Sequence, residues 1–174
     1  MTESQQSPLP RVVVLMGIAG AGKSTVGRKL AAALHWRFIE ADDYHSDENK
    51  SRMCRGLALT DREREPWLTA LRDEIGKVIA SGGRAVLACS ALKAAYREAL
   101  VPATAPDGAV KFVYLHADPA LLQARLERRT RHYAGPTLLA SQLATLEEPH
   151  DALEVDASRP PGEIVITIRS FFRL

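Results

Sequence analysis

The stretch that most constrains this 174-residue chain is Gly17-Ile18-Ala19-Gly20-Ala21-Gly22-Lys23-Ser24. It lies between an unbroken apolar run, Val12-Val13-Val14-Leu15-Met16, and a helical stripe of Val26, Leu30, Ala33 and Leu34. Five apolar residues without alternation read as a strand covered on both faces, hence a central strand of a parallel sheet. The octapeptide fits G-x-x-x-x-G-K-[ST], and a strand before it with a helix after it is the context that pattern requires. Phosphate chemistry explains the residue types. Glycines let successive N–H groups converge on one centre, and a side chain at Gly22 would obstruct the phosphates. The helix opening near Ser24 adds its positive end. Lys23 is a point charge that can follow the β- and γ-phosphates, and the Ser24 hydroxyl is the expected Mg²⁺ ligand. Gly17 through Thr25 are therefore the predicted contacts of a nucleoside triphosphate.

The rest of the chain alternates strand and helix. Strands are predicted at 38–42, 85–89, 110–115 and 153–156, and helices at 25–34, about 91–100 and 119–128, the last with Asp118 as N-cap. Thr60 with Glu63 fits a capping box ahead of Trp67, Leu68, Leu71, Ile75, Val78 and Ile79, with Pro66 marking either the start of that helix or a kink in it. Residues 48–54 have the makings of a short helix. Residues 161–174 carry both strand propensity and a helical face of Ile164, Val165, Ile168, Phe171 and Phe172; the paired prolines decide for helix. The implied architecture is one α/β unit over residues 11–174: a parallel five-stranded sheet with helices on both faces, after a polar, disordered lead-in at 1–10.

Composition narrows the function classes. With 23 basic and 21 acidic residues the net charge is +2, which supports neither a nucleic-acid nor a membrane-surface partner. No apolar run approaches a membrane span, and the N-terminus lacks an apolar signal core, so the expected compartment is the cytoplasm. Cys54 and Cys89 form no metal-binding or disulfide pattern, and Cys89 reads as a small buried hydrophobe. A guanine-nucleotide switch would carry N-K-x-D and D-x-x-G, and neither occurs. A mechanical ATPase would have a longer chain and an apolar strand ending in Asp, where this one ends in Cys89-Ser90. What remains is a small-molecule kinase, in which positioning and charge stabilisation do most of the catalysis.

Several further segments together resemble the thermoresistant-type gluconokinases, small kinases related in fold to shikimate and adenylate kinases. They are Glu40-Ala41-Asp42-Asp43-Tyr44-His45, Asn49 with Arg52-Met53, and Gly56 through Thr60-Asp61 to Arg64-Glu65-Pro66-Trp67-Leu68. Cys89-Ser90-Ala91-Leu92-Lys93, Tyr96-Arg97, Arg125-Leu126, Arg129, His132 and Ser141-Gln142 with Thr145-Leu146-Glu147 follow in the same order. The sequence departs from that pattern at Ala19, Ala21, Ser46 and Ala58, and at Arg131, where a glycine would precede the histidine. The resemblance implies ATP-dependent, Mg²⁺-assisted phosphorylation of D-gluconate at its terminal hydroxyl, and allows a homodimer. Shikimate, a nucleoside monophosphate, or no catalysis at all in an ATP-binding module are the alternatives.

On this basis roles can be assigned. Asp42, at the end of the second strand, is the expected proton acceptor for the sugar hydroxyl, and Glu40 would hold Mg²⁺ through water. Gluconate carries a carboxylate at the end opposite the reacting hydroxyl, so cations are needed away from the phosphate loop. His45, Arg52, Arg64, Lys93 and Arg97 are the supply within a substrate segment around 43–66 and beyond it, and Arg64 and Arg97 lead because a guanidinium matches a carboxylate fork. Arg125 and Arg129, four apart, together with His132 resemble the start of a lid over about 129–146 that covers the nucleotide and the acceptor.

Overall fold

The computed structural model describes residues 9–128 and 136–174. Arg129, Arg131 and His132 therefore lie outside the described residues, as does most of the lead-in.

Five parallel strands, β1 (Val12–Met16), β2 (Arg37–Glu40), β3 (Ala85–Ala88), β4 (Val110–His116) and β5 (Leu153–Asp156), form one sheet in the order β2-β3-β1-β4-β5. The apolar run 12–16 takes the central place expected of it, and all five of its residues are buried. Because successive strand side chains face opposite ways, β1 divides its residues between two cores. Val13 and Leu15 join Val26 and Leu30 of α1 (Lys23–Leu34), Leu122 and Leu126 of α5 (Pro119–Glu127), and Ile164 and Ile168 of α7 (Pro161–Phe172). Val12, Val14 and Met16 join Trp67, Leu71 and Ile75 of α3 (Asp61–Ala80), and Tyr96 and Leu100 of α4 (Ala94–Leu100). The other α-helices among the described residues are α2 (Asp47–Cys54) and α6 (Pro136–Thr145). Among the described residues no helix is long and apolar enough to cross a membrane.

Three of the differences from the expected boundaries have a structural reason. The second strand stops at Glu40, whose partner Ala88 is the last residue of β3. With no further strand to pair with, Ala41–Tyr44 coil into a 3₁₀ turn, so Asp42 stands on that turn and not in the strand. The fourth helix begins at Ala94 and not near 91, because Ala91 takes a left-handed conformation (φ 44°) that no α-helix accepts. The third helix neither starts at Pro66 nor is broken there: it opens at Asp61 and runs through the proline.

The α3 start is built as its sequence predicts. The Thr60 hydroxyl accepts from the Glu63 N–H, and the Glu63 carboxylate accepts from the Thr60 N–H at 2.7 Å. Asn49 of α2 donates to the Glu63 carbonyl at 2.9 Å, which ties the two helices together. Thr60→Ala should therefore lower stability by about 1 kcal/mol in chemical denaturation, while Thr60→Ser, which keeps the hydroxyl, should stay within a few tenths of wild type.

Candidate active site

Parallel pairing brings the C-terminal ends of β1, β2 and β3 to one edge of the sheet, and the pairing continues past the strands themselves. Cys89 N–H donates to the Leu15 carbonyl at 3.1 Å, and Gly17 N–H donates to the Ser90 carbonyl at 3.2 Å. The phosphate loop thus leaves β1 already fastened to the Cys89-Ser90 segment.

Within the loop, Gly17 (φ 137°) approaches β4 so closely that a Cβ would lie 2.7 Å from the Leu115 carbonyl oxygen. Gly22 (φ 93°) is the opposite case: no atom lies within 4 Å of the position of its absent Cβ. The space beside this left-handed N-cap of α1 is open, which leaves the loop accessible to a phosphate. The first α1 bond runs from Val26 N–H to the Gly22 carbonyl, so the amides of the first turn stand outside the helix ladder. Lys23 Nζ donates to the Gly17 and Ile18 carbonyls at 2.9 and 3.1 Å, which holds the ammonium over the loop.

Glu40 and Ser24 meet at this edge. Burial pushes the Glu40 carboxyl above its ordinary value, and the Ser24 hydroxyl bonded to it pulls the other way. Asp42 adds repulsion, while Arg28, 3.8 Å away, and Lys23 oppose it. No group of three His, Cys, Asp or Glu side chains suited to a metal occurs among the described residues. A hydroxyl beside a carboxylate nevertheless suits Mg²⁺, which takes one or two protein oxygens and leaves the rest of its shell to phosphates and water. Asp42 itself is exposed on the 3₁₀ turn. The turn is held from below by the buried Trp67 indole, whose Nε1–H donates to the Ala41 carbonyl at 2.8 Å. The sequence marks Trp67 as core, which it is; the bond that sets the height of Asp42 carries no sequence signal.

His45 stacks on the same indole, ring centroids 4.4 Å apart at 9°. It is buried, its Nδ1 has no hydrogen-bond partner among the described residues, and desolvation lowers its pKa to about 4. The imidazole is therefore neutral near pH 7. Its contribution to stability is lost as pH falls from 6.5 toward 4, where the unfolded chain binds the proton first.

The predicted cations separate into two groups. Arg52, Arg64 and Lys93 gather at the α3 N-terminus. Arg52 Nε lies 3.2 Å from Glu63, and Lys93 Nζ lies 2.7 Å from Asp61, which also accepts from the Tyr96 hydroxyl. The Lys93 and Tyr96 bonds hold the Asp61 carboxyl below the usual carboxylate range. Arg64 donates through Nε and Nη2 to the Leu59 carbonyl, at 3.3 and 3.2 Å, and lies 5.7 Å from the Tyr96 ring centre. It forms no ion pair among the described residues. Asp61 and Glu63, paired with Lys93 and Arg52, also feel the Arg64 charge, so three cations share these two carboxylates. Arg97 stands apart: buried, it donates through Nη1 to the carbonyls of Ala91, Leu92 and Glu147. Arg125 reaches the phosphate loop from behind, donating to the Gly20 and Ala157 carbonyls at 3.4 and 2.8 Å. Cys89 is buried with its thiol pushed up to about 12, the inert hydrophobe expected.

Residues 12–151 match a protein-family model described as an AAA domain. A probable gluconokinase of Mus musculus is 42% identical, over 91% of this chain and 96% of its own length. The gluconokinase of Gluconobacter oxydans is 43% identical, over 94% and 92%. The chain belongs to the gluconokinase family. The crystal structure of a gluconokinase from Sinorhizobium meliloti, 39% identical, superposes with a TM-score of 0.83 over 96% of this chain and 94% of that one. The resemblance drawn from the sequence is therefore correct at the level of the family, and the P-loop kinase architecture with it. As a gluconokinase-family chain it is a kinase, and ATP is the phosphoryl donor its family uses.

Glu40 illustrates what such a site costs. Its raised pKa means that the ionised form is less favourable in the folded chain than in the unfolded one, so above both pKa values the charge lowers stability. Glu40→Gln should raise the melting temperature at pH 7 and above. That gain should shrink as pH falls through the folded pKa and vanish below 4.5, where wild type is protonated in both states.

Proposed function

We propose that this chain transfers the γ-phosphoryl group of ATP to the terminal hydroxyl of D-gluconate, giving 6-phosphogluconate and ADP. The observation that carries the reading is the meeting, at one sheet edge, of the phosphate loop with the Ser24–Glu40 pair and Asp42, beside a cation cluster whose net charge is positive. The relatives' names supply the acceptor; the chemistry of the edge fits it.

Lys23 and the loop amides other than that of Ala19, which donates to Gln142, would hold the triphosphate, and Lys23 would follow the charge that grows on the transferring phosphoryl group. Ser24, with Glu40 behind it, would hold Mg²⁺, which when bound neutralises phosphate charge. Asp42, exposed and acidic, would accept the proton of the attacking hydroxyl. Arg64 is the leading partner for the acceptor carboxylate, since Arg97 already holds three backbone carbonyls and Lys93 is shared with Asp61. The unpartnered Nδ1 of His45 supports a hydrogen-bonding role toward a polyol hydroxyl, because a buried ring nitrogen without a protein partner costs free energy until something satisfies it. Arg52 keeps the cluster positive, Arg125 braces the loop, and Arg129 and His132 retain the nucleotide and acceptor roles implied by resemblance.

Asp42→Asn keeps the shape but removes the charged acceptor. Steady-state kinetics should show kcat down by about 10²–10⁴-fold with ATP affinity nearly unchanged. A loss of only a few-fold would make Asp42 a turn residue and move the role elsewhere.

The acceptor is tested by ADP release from Mg·ATP with gluconate, glucose, shikimate and AMP. Glucose offers a terminal hydroxyl but no carboxylate, so it leaves Arg64 without its partner. The expected kcat/KM for glucose is lower by about 10²–10³-fold, and Arg64→Ala should narrow that ratio by harming gluconate alone. Equal turnover of both sugars would defeat the gluconate reading. Preferred turnover of shikimate or AMP would replace the substrate, and no turnover at all would leave an ATP-binding module.

A further inference from the structure

The Ile18–Ala19 peptide is gripped from both sides. Its carbonyl accepts from Lys23 Nζ at 3.1 Å, and its N–H donates to Gln142 Oε1, on α6, at 2.7 Å. No peptide in the described chain is cis, and in a planar trans peptide the C=O and N–H point in opposite directions. Gln142 and Lys23 therefore pull on opposite ends of one rigid unit. The Ile18 carbonyl also accepts from the Ala21 N–H at 3.1 Å, so the turn 18–21 holds one end of that unit from within the loop while Gln142 holds the other from outside it.

We infer that Gln142 is a positioning residue for the proposed phosphoryl transfer: by holding the Ala19 N–H it keeps the Ile18 carbonyl turned toward Lys23 and so helps, beside the Gly17 carbonyl, to set where the ammonium stands. The bond acts in two ways. It fixes the N–H end of a peptide whose carbonyl end the Ala21 N–H and Lys23 already hold, and donation from the N–H polarises the carbonyl and makes it a better acceptor for the ammonium. Gln142 can do this only if α6 is itself fixed, and it is. Leu139 is buried in the core on that face of the sheet. Just past the helix, Glu147 is locked to the start of α4: its N–H donates to the Leu92 carbonyl at 2.8 Å, its carboxylate accepts from the Ala94 N–H at 2.7 Å, and its carbonyl accepts from Arg97 at 2.9 Å. The buried guanidinium of Arg97 thus serves as the anchor of this support. Gln142 touches neither Lys23 nor, on this reading, the nucleotide; its effect passes through the peptide between them.

The inference rests on the reading of Lys23 as a triphosphate ligand, and a double-mutant cycle separates the two. Affinity for a non-hydrolysable ATP analogue with Mg²⁺ is measured by calorimetry for wild type, Gln142→Met, Lys23→Met and the double variant. Methionine keeps the length of the side chain and removes the strong acceptor. Gln142→Met alone should weaken the analogue by about 2- to 10-fold, the range of one part-buried hydrogen bond. In the Lys23→Met background the same change should cost less than about twofold, because the group it positions is gone. Equal losses in both backgrounds, or no loss in the first, would overturn the role of Gln142 while leaving Lys23 in place. A wild type that fails to bind the analogue would overturn both readings. Should Gln142→Met not fold, hydrogen exchange on wild type decides: the Ala19 amide is expected to be protected with and without the analogue, and exchange at the rate of an open amide would sink the proposal.

Discussion

The pairing of β1 with β3 is the interaction on which the rest depends. Val12 through Leu15 pair in register with Ala85 through Ala88, and two further bonds carry the zipper past the strand ends, from Cys89 to Leu15 and from Gly17 to Ser90. A one-residue slip would exchange the two faces of β1 and drive Val13 and Leu15 out of one core into the other. It would also move the phosphate loop by a residue against the Ser90–Lys93 segment. Core register and site register are thus the same quantity, and the hydrophobic sorting that stabilises the sheet also aligns the chemistry at its edge.

Around that edge the structure gives up stability in small amounts. Glu40 is a carboxylate held partly out of water, His45 has a buried nitrogen with no partner among the described residues, and the glycines of the loop hold left-handed conformations. The first two are unfavourable for folding alone and are what a metal or a hydroxyl would relieve, while glycine takes its conformation without strain. The supports lie one layer away and are well satisfied: Trp67 on the Ala41 carbonyl, Arg125 on Gly20 and Ala157, Arg97 on three carbonyls. Strain is concentrated where ligands act, and the groups that carry it are held by ordinary hydrogen bonds.

The two leading arginines show how residue type and role separate. Arg64 and Arg97 are equally suited to a carboxylate by chemistry, and both occur in segments that resemble the family. Burial divides them. Arg97 sits in the interior beside carbonyls left over where β3 ends and α4 has not yet begun, and satisfying those carbonyls occupies its Nη1. Arg64 forms no ion pair of its own among the described residues and shares Asp61 and Glu63 with Lys93 and Arg52. Such a division depends on where backbone carbonyls lack partners, a property of the chain in three dimensions.

Much was legible in the residues alone. The phosphate loop, the α3 capping box, the burial of Trp67 and Cys89, the helical choice for 161–172 and the alternating architecture all follow from local chemistry: glycine's tolerance of positive φ, the reach of a threonine hydroxyl, the period of apolar side chains. These are properties of a few neighbouring residues, and the sequence by itself determined them. The tertiary structure decided the remainder. It ended β2 at Glu40, because β3 offers no further partner, and so put Asp42 on a turn. It turned Arg97 inward and brought Gln142 across 123 residues to the Ala19 amide. Each of these depends on which unpaired backbone group finds which distant side chain, and that is set only when the sheet has chosen its register and the helices have packed against it.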